Sequence, residues 1–193
     1  MLKYIAIICK ILPQTALVTS QQRSYSRKMI KLFEAKDHAK DYSKYRPVYP
    51  KEVLEYVFEY LHEKTNSRDY ALDLGCGSGQ STIALSGHFK EVLGLDVSKA
   101  QIDNAPLDTP NVRFQVGSGE DLAFCEDGTV DLITVAQSLH WMDRPKLYNE
   151  VKRVLKPDAV FTAYGYGNMY LDNEKASNII SEEVKINIDV NIL

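Results

Sequence analysis

Leu72-Asp73-Leu74-Gly75-Cys76-Gly77-Ser78-Gly79 joins a short apolar run, Tyr70-Ala71-Leu72, to the helix-like Gln80-Ser81-Thr82-Ile83-Ala84-Leu85. The order is strand, tight turn, helix start. Glycine suits such a turn because it accepts positive φ and lets a ligand approach bare backbone. The helix start adds unsatisfied amides on the same side. In open α/β folds a parallel strand that ends this way places a small molecule at the carboxyl edge of the sheet. Gly75, Gly77 and Gly79 are spaced Gly-x-Gly-x-Gly behind Asp73, not Gly-x-Gly-x-x-Gly as for a dinucleotide. Gly79-Gln80-Ser81 also lacks the lysine of a phosphate loop.

The rest of the chain repeats the alternation. Strands are expected at Tyr70 to Leu74, Val92 to Asp96, Val112 to Val116, Val130 to Ala136 and Ala159 to Tyr164, with amphipathic helices between them. The clearest helix runs from Pro50 to Glu63, with Val53, Leu54, Val57, Phe58 and Leu61 forming a stripe. A second runs from Pro145 to Leu155, stopped by Pro157. At 193 residues, 45% hydrophobic and 25% charged, the chain suits one globular domain. A net charge of -3 without a basic run gives no reason to expect nucleic acid, and the apolar runs are too short to span a membrane. Cys9, Cys76 and Cys125 are scattered, without the spacing of a disulfide framework or a metal site.

Three acid-bearing stretches follow the glycine turn in order. Asp96 closes the second strand, where a carboxylate can accept hydrogen bonds from both hydroxyls of a ribose; the competing role, a helix cap, falls more naturally to Ser98. Gly117-Ser118-Gly119-Glu120-Asp121 follows the third strand. The fourth exits through Gln137-Ser138-Leu139-His140-Trp141-Met142-Asp143.

Taken together, these stretches resemble the class I S-adenosylmethionine-dependent methyltransferases. The Gln-Ser-x-His-Trp-x-Asp exit and the upstream Tyr42-Ser43-Lys44-Tyr45-Arg46-Pro47-Val48-Tyr49-Pro50 are similar to a methyltransferase type 11, trans-aconitate methyltransferase-like subgroup. That resemblance implies a Rossmann-like three-layer α/β sandwich with a mostly parallel sheet and S-adenosyl-L-methionine as cofactor. It implies cofactor contacts from Asp73, Gly75, Cys76, Gly77, Gly79 and Gln80 of the loop, from Asp96, Val97 and Ser98, and from Glu120 and Asp121 near the adenine amine. Gln137 and Ser138 would approach the methionine part, and Tyr42 and Arg46 would help close the pocket. His140 is the candidate general base, with structural packing as its alternative; Trp141 is divided between core and site. Lys156-Pro157-Asp158-Ala159 departs from the Pro-Gly-Gly of relatives and alters the turn into the fifth strand.

The implied activity is methyl transfer to a small-molecule acceptor, a carboxylate among the candidates. The alternatives are a non-catalytic S-adenosylmethionine-binding or scaffold protein and, against the glycine spacing, an NAD-type oxidoreductase. No metal is implied. Residues 33–168 form the expected domain, followed by a short divergent segment, 169–193, with a helical stretch at Asn173 to Glu183 and an alternating run at Ile186 to Ile192. Relatives usually add a reversed hairpin there, so the C-terminal strands are expected to be truncated. Residues 1–32 read as a leader, free of acids and carrying Lys3, Lys10, Arg23, Arg27, Lys28 and Lys31. It fits a mitochondrial transit peptide processed after Tyr25, an upstream extension before Met29 or, less well, a secretory signal; the location is then cytoplasmic, or mitochondrial for a transit peptide.

Overall fold

The computed structural model describes residues 4–9, 49 and 51–166. Its elements in chain order are β1 (Tyr4–Cys9), α1 (Lys51–Lys64), β2 (Tyr70–Leu74), α2 (Gln80–Leu85), β3 (Glu91–Asp96), α3 (Lys99–Ile102), β4 (Val112–Val116), β5 (Val130–Ala136), a 3₁₀ turn (Leu139–Trp141), α4 (Arg144–Val154) and β6 (Leu155–Tyr166). They build one six-stranded sheet in the order β1-β6-β5-β2-β3-β4. β2 through β6 are mutually parallel, and β1 runs antiparallel along β6, from Tyr4 opposite Tyr166 to Cys9 opposite Phe161. The chain therefore has the expected α/β architecture.

Period-two alternation divides the strand residues between two faces. Leu72, Leu74, Leu93, Leu95, Ile133, Val135, Phe161 and Ala163 pack on one side with Leu147, Val151 and Val154 of α4. Ala71, Val92, Leu132 and Val160 pack on the other with Val57 and Leu61 of α1 and with Leu85 and Phe89. Both faces are covered, which explains why β5 is buried throughout. Each fully buried Leu or Ile contributes about 1.5–3 kcal/mol relative to leaving it exposed. α1 forms because Val53, Val57 and Leu61, four apart, give it a single buried stripe. No helix of the described residues is long and apolar enough to cross a membrane.

Two features differ most from expectation. α4 ends at Val154 and β6 begins at once with Leu155, four residues before the expected Ala159. Val130 lies opposite Leu155 and Leu132 opposite Val160, so Lys156-Pro157-Asp158-Ala159 forms an irregular excursion in the ladder. The excursion brings the Lys156 ammonium within 2.9 Å of fully buried Asp131 and 3.1 Å of Asp69. The other difference is β1, which lies in the stretch read as a leader. The run Tyr4–Cys9 is apolar, but its pairing partner is more than 150 residues away, so nothing local shows where it pairs. The segment 169–193, including the expected helix and alternating run, lies outside the described residues.

Candidate functional site

Because β2 to β5 run parallel, the turns after Leu74, Asp96, Val116 and Ala136 come to one edge of the sheet. Cross-bonds lock them together. The amides of Gly75 and Cys76 both donate to the Leu95 carbonyl, at 2.7 and 2.9 Å, and the Gly117 amide donates to that of Asp96 at 2.9 Å. Ser138 Oγ donates to the Leu74 carbonyl at 3.0 Å.

The loop needs its glycines. Gly75, Gly77 and Gly79 have φ of 69°, 58° and 89°, the left-handed region that side chains resist. A Cβ on Gly75 would run into the Ser138 side chain, and one on Gly79 would stand 2.5 Å from the Phe114 ring. Phe114, not singled out in the sequence, thus supports the loop from β4. Its signal was absent because its partners Gly79 and Gly94 belong to other elements.

Asp96 sits at the mouth of this loop. One carboxylate oxygen accepts from the Gly77 amide at 2.8 Å and the other from the Ser98 amide at 2.8 Å. The helix-capping role falls to Ser98, whose hydroxyl accepts from the Gln101 amide. Val97, next in the chain, is 49% exposed, an apolar side chain left open beside an acid. Gln80 begins α2, and its Oε1 is buried without a hydrogen-bond donor among the described residues.

Asp73 has a different place from the one expected. It shares the α2 face of the sheet with Thr134, its register partner on β5, and is fully buried. Ser81 and Thr82 hydroxyls donate to one of its oxygens at 2.5 and 2.6 Å, and Thr134 donates to the other at 2.8 Å. Its carboxylate therefore braces the loop from behind. Alternation explains this: Leu72 and Leu74 face α4, so Asp73 must face α2. Cys76 is likewise buried; burial first, then the charges of Asp73 and Asp96, hold its thiol well above the usual range.

On the far side of the edge, a Glu120 oxygen accepts from the Asp143 amide at 2.6 Å, so it anchors the residue that precedes α4. Asp121 is exposed and accepts from Ala123 within its own turn, at 3.3 Å. Gln137 is the one non-glycine residue with positive φ among those described, at 58°. His140 and Trp141 form the 3₁₀ turn with ring centroids 4.2 Å apart. Trp141 is half-buried and belongs to neither main cluster. His140 is exposed, and its imidazole is held below the ordinary value, first by the loss of solvent on its covered side and then by the Arg144 charge. Tyr42 and Arg46 lie outside the described residues. Tyr49 of the same upstream stretch packs edge-on against Tyr164 of β6, with centroids 5.1 Å apart.

Known proteins resemble this chain. A family profile described as a methyltransferase domain matches residues 72–163, from β2 into β6. A Dictyostelium discoideum protein provisionally named a methyltransferase is 37% identical over 145 residues, covering 75% of this chain and 53% of that protein. A Saccharomyces cerevisiae protein, provisionally named an S-adenosylmethionine-dependent methyltransferase, is 31% identical, covering 65% of this chain and 44% of its own length. The chain thus spans about half the length of the curated relatives it matches. A solved structure from Anaeromyxobacter dehalogenans, provisionally described as a type II methyltransferase, is 36% identical with a TM-score of 0.59, over 72% of this chain and 56% of that one. Parallel strand order, glycine turn and matched segment agree, and the chain belongs to the class I S-adenosylmethionine-dependent methyltransferase family.

Proposed function

We propose that this protein binds S-adenosylmethionine at the edge built by the glycine loop and Asp96 and transfers its methyl group to a small-molecule acceptor, with a carboxylate among the candidate classes. The observation that carries the reading is the pairing of Asp96 with the Gly77 amide at 2.8 Å, beside exposed Val97. An acid for a diol and an open apolar side chain for a flat base are the complement of a nucleoside, so the residues present fit the cofactor. The left-handed glycines admit such a ligand close to the backbone. When bound, the cofactor supplies an already activated methyl.

The chain's own part is then to hold and orient. Asp96 receives hydroxyl hydrogens, Val97 covers a base, and Gln137 and Ser138 line the exit of β5 where the acceptor must approach. A carboxylate acceptor needs no proton removed; an alcohol or amine does, and His140 is the group available at that exit.

Titration calorimetry with S-adenosylmethionine, S-adenosylhomocysteine and NAD, followed by methyl-transfer assays on a panel of small carboxylates and alcohols, tests this. Binding of the first two and turnover of a carboxylate is expected. NAD binding without S-adenosylhomocysteine binding overturns the reading, and binding without turnover on any acceptor supports a binding-only role. The pH profile separates the acceptor classes. With an alcohol acceptor, activity should rise with pH as His140 loses its proton, at a midpoint below the ordinary imidazole value, and level off above it. A carboxylate acceptor should show no such limb, and His140→Gln should leave its turnover within about twofold.

A further inference from the structure

Beyond the loop and the acids, one contact at this edge has the marks of a built position. Gln137 takes a left-handed conformation, φ 58°, although it is not glycine. For an ordinary side chain that conformation is unfavourable, and such outliers persist where surrounding structure enforces them. Here the enforcement is visible: the Gln137 amide donates to the Tyr164 carbonyl of β6 at 2.9 Å, turning the chain at the end of β5. The carboxamide then lies across the next residue of β6, Gly165. A Cβ on Gly165 would stand 2.9 Å from Gln137 Cδ, 3.0 Å from Nε2 and 3.1 Å from Oε1. Three nearly equal distances mean that the face of the amide occupies the place a Gly165 side chain would take. Gly165 itself is not among the left-handed glycines, so its backbone does not demand glycine; the carboxamide does.

We infer that Gly165 is a positioning residue: its missing side chain forms the seat on which the Gln137 carboxamide is held at the donor–acceptor edge. The inference rests on the proposal that this edge binds the methyl donor. Strain at Gln137, just past the end of β5, and the bare Cα at Gly165 on β6 are separate features, and both act on the same carboxamide. Tyr164, which precedes Gly165 and accepts from the Gln137 amide, is buried and packs edge-on against Tyr49.

Gly165→Ala is a clean test because the clash falls on the far end of a flexible side chain, not on backbone. The fold should survive, with an unchanged circular dichroism spectrum and a Tm within about 2 °C of the parent. S-adenosylhomocysteine affinity should fall about three- to tenfold, the scale of one misplaced hydrogen bond. In a Gln137→Ala background the same Gly165→Ala change should have no further effect, since no carboxamide is left to displace. An affinity unchanged by Gly165→Ala, or an equal loss in both backgrounds, overturns the inference.

A second readout needs no ligand. In ¹⁵N spectra the side-chain amide pair that disappears in Gln137→Ala should shift in Gly165→Ala; an unmoved pair overturns the seat. Should the parent protein bind no S-adenosylhomocysteine, the donor reading fails, while the amide shift still decides whether Gly165 seats Gln137.

Discussion

Asp73 and Asp96 end neighbouring parallel strands, yet their environments assign them opposite tasks. Asp96 faces the loop mouth and accepts from the Gly77 and Ser98 backbone amides, whereas Asp73 is enclosed by three hydroxyls. Asp96→Ala should therefore weaken S-adenosylhomocysteine binding by about 1.5–3 kcal/mol, the scale of hydrogen bonds to a charged acceptor, with the fold retained. Asp73→Ala should instead lower stability by about 3 kcal/mol, because it takes the acceptor from the buried Ser81 and Thr82 hydroxyls and leaves Thr134 to its longer bond with the Leu72 carbonyl. Calorimetry and urea unfolding on both variants check the pair. Equal effects on binding and stability in the two variants would remove the distinction. The position of Asp96 at the loop mouth could be read from the sequence by its place at a strand end. The inward turn of Asp73 could not, since it depends on Ser81, Thr82 and Thr134 converging from a helix and a second strand.

Elements were readable where their cause is local. The strands Tyr70–Leu74, Val112–Val116 and Val130–Ala136 coincide with their apolar runs, and α1 with its stripe, because alternation and helical spacing lie within each segment. β6 was not, because its first residues are governed by long-range partners. Lys156 leaves the ladder to reach Asp131, whose carboxylate also accepts from the Asp69 and Tyr70 amides at 2.8 and 3.0 Å. Burial alone would raise the Asp131 carboxyl, but the Lys156 ammonium and the backbone amides outweigh it and hold it below the ordinary value. A carboxylate lowered in the folded state contributes stability above its unfolded pKa, and that contribution is lost as pH falls through the folded value. Lys156→Met should accordingly cost about 2 kcal/mol at pH 7, less than a fully stranded buried charge because the amides remain. The gap from the parent should close as the pH drops below about 4, where carboxylates take up protons. Urea unfolding across that range checks it; a pH-independent gap would mean that Lys156 acts by packing alone.

At the scale of the molecule, the donor edge joins the turns of four parallel strands through a handful of cross-bonds. A ligand held there should bind the folded chain and not the unfolded one. At 100 times its Kd, S-adenosylhomocysteine should stabilise by about 2.7 kcal/mol, raising Tm by roughly 5–10 °C for a chain of this size. NAD at the same concentration should leave Tm unchanged, and thermal scans with both ligands decide. The order of the strands has one more consequence. Farthest from β1, the described sheet stops at β4, only five residues long, with Arg113 at its second position paired to Glu91 and exposed Gln115 beyond it. A neighbouring chain seeking to extend the ribbon meets charge and an amide in place of a flat greasy border, a poor template for edge-to-edge growth into fibres.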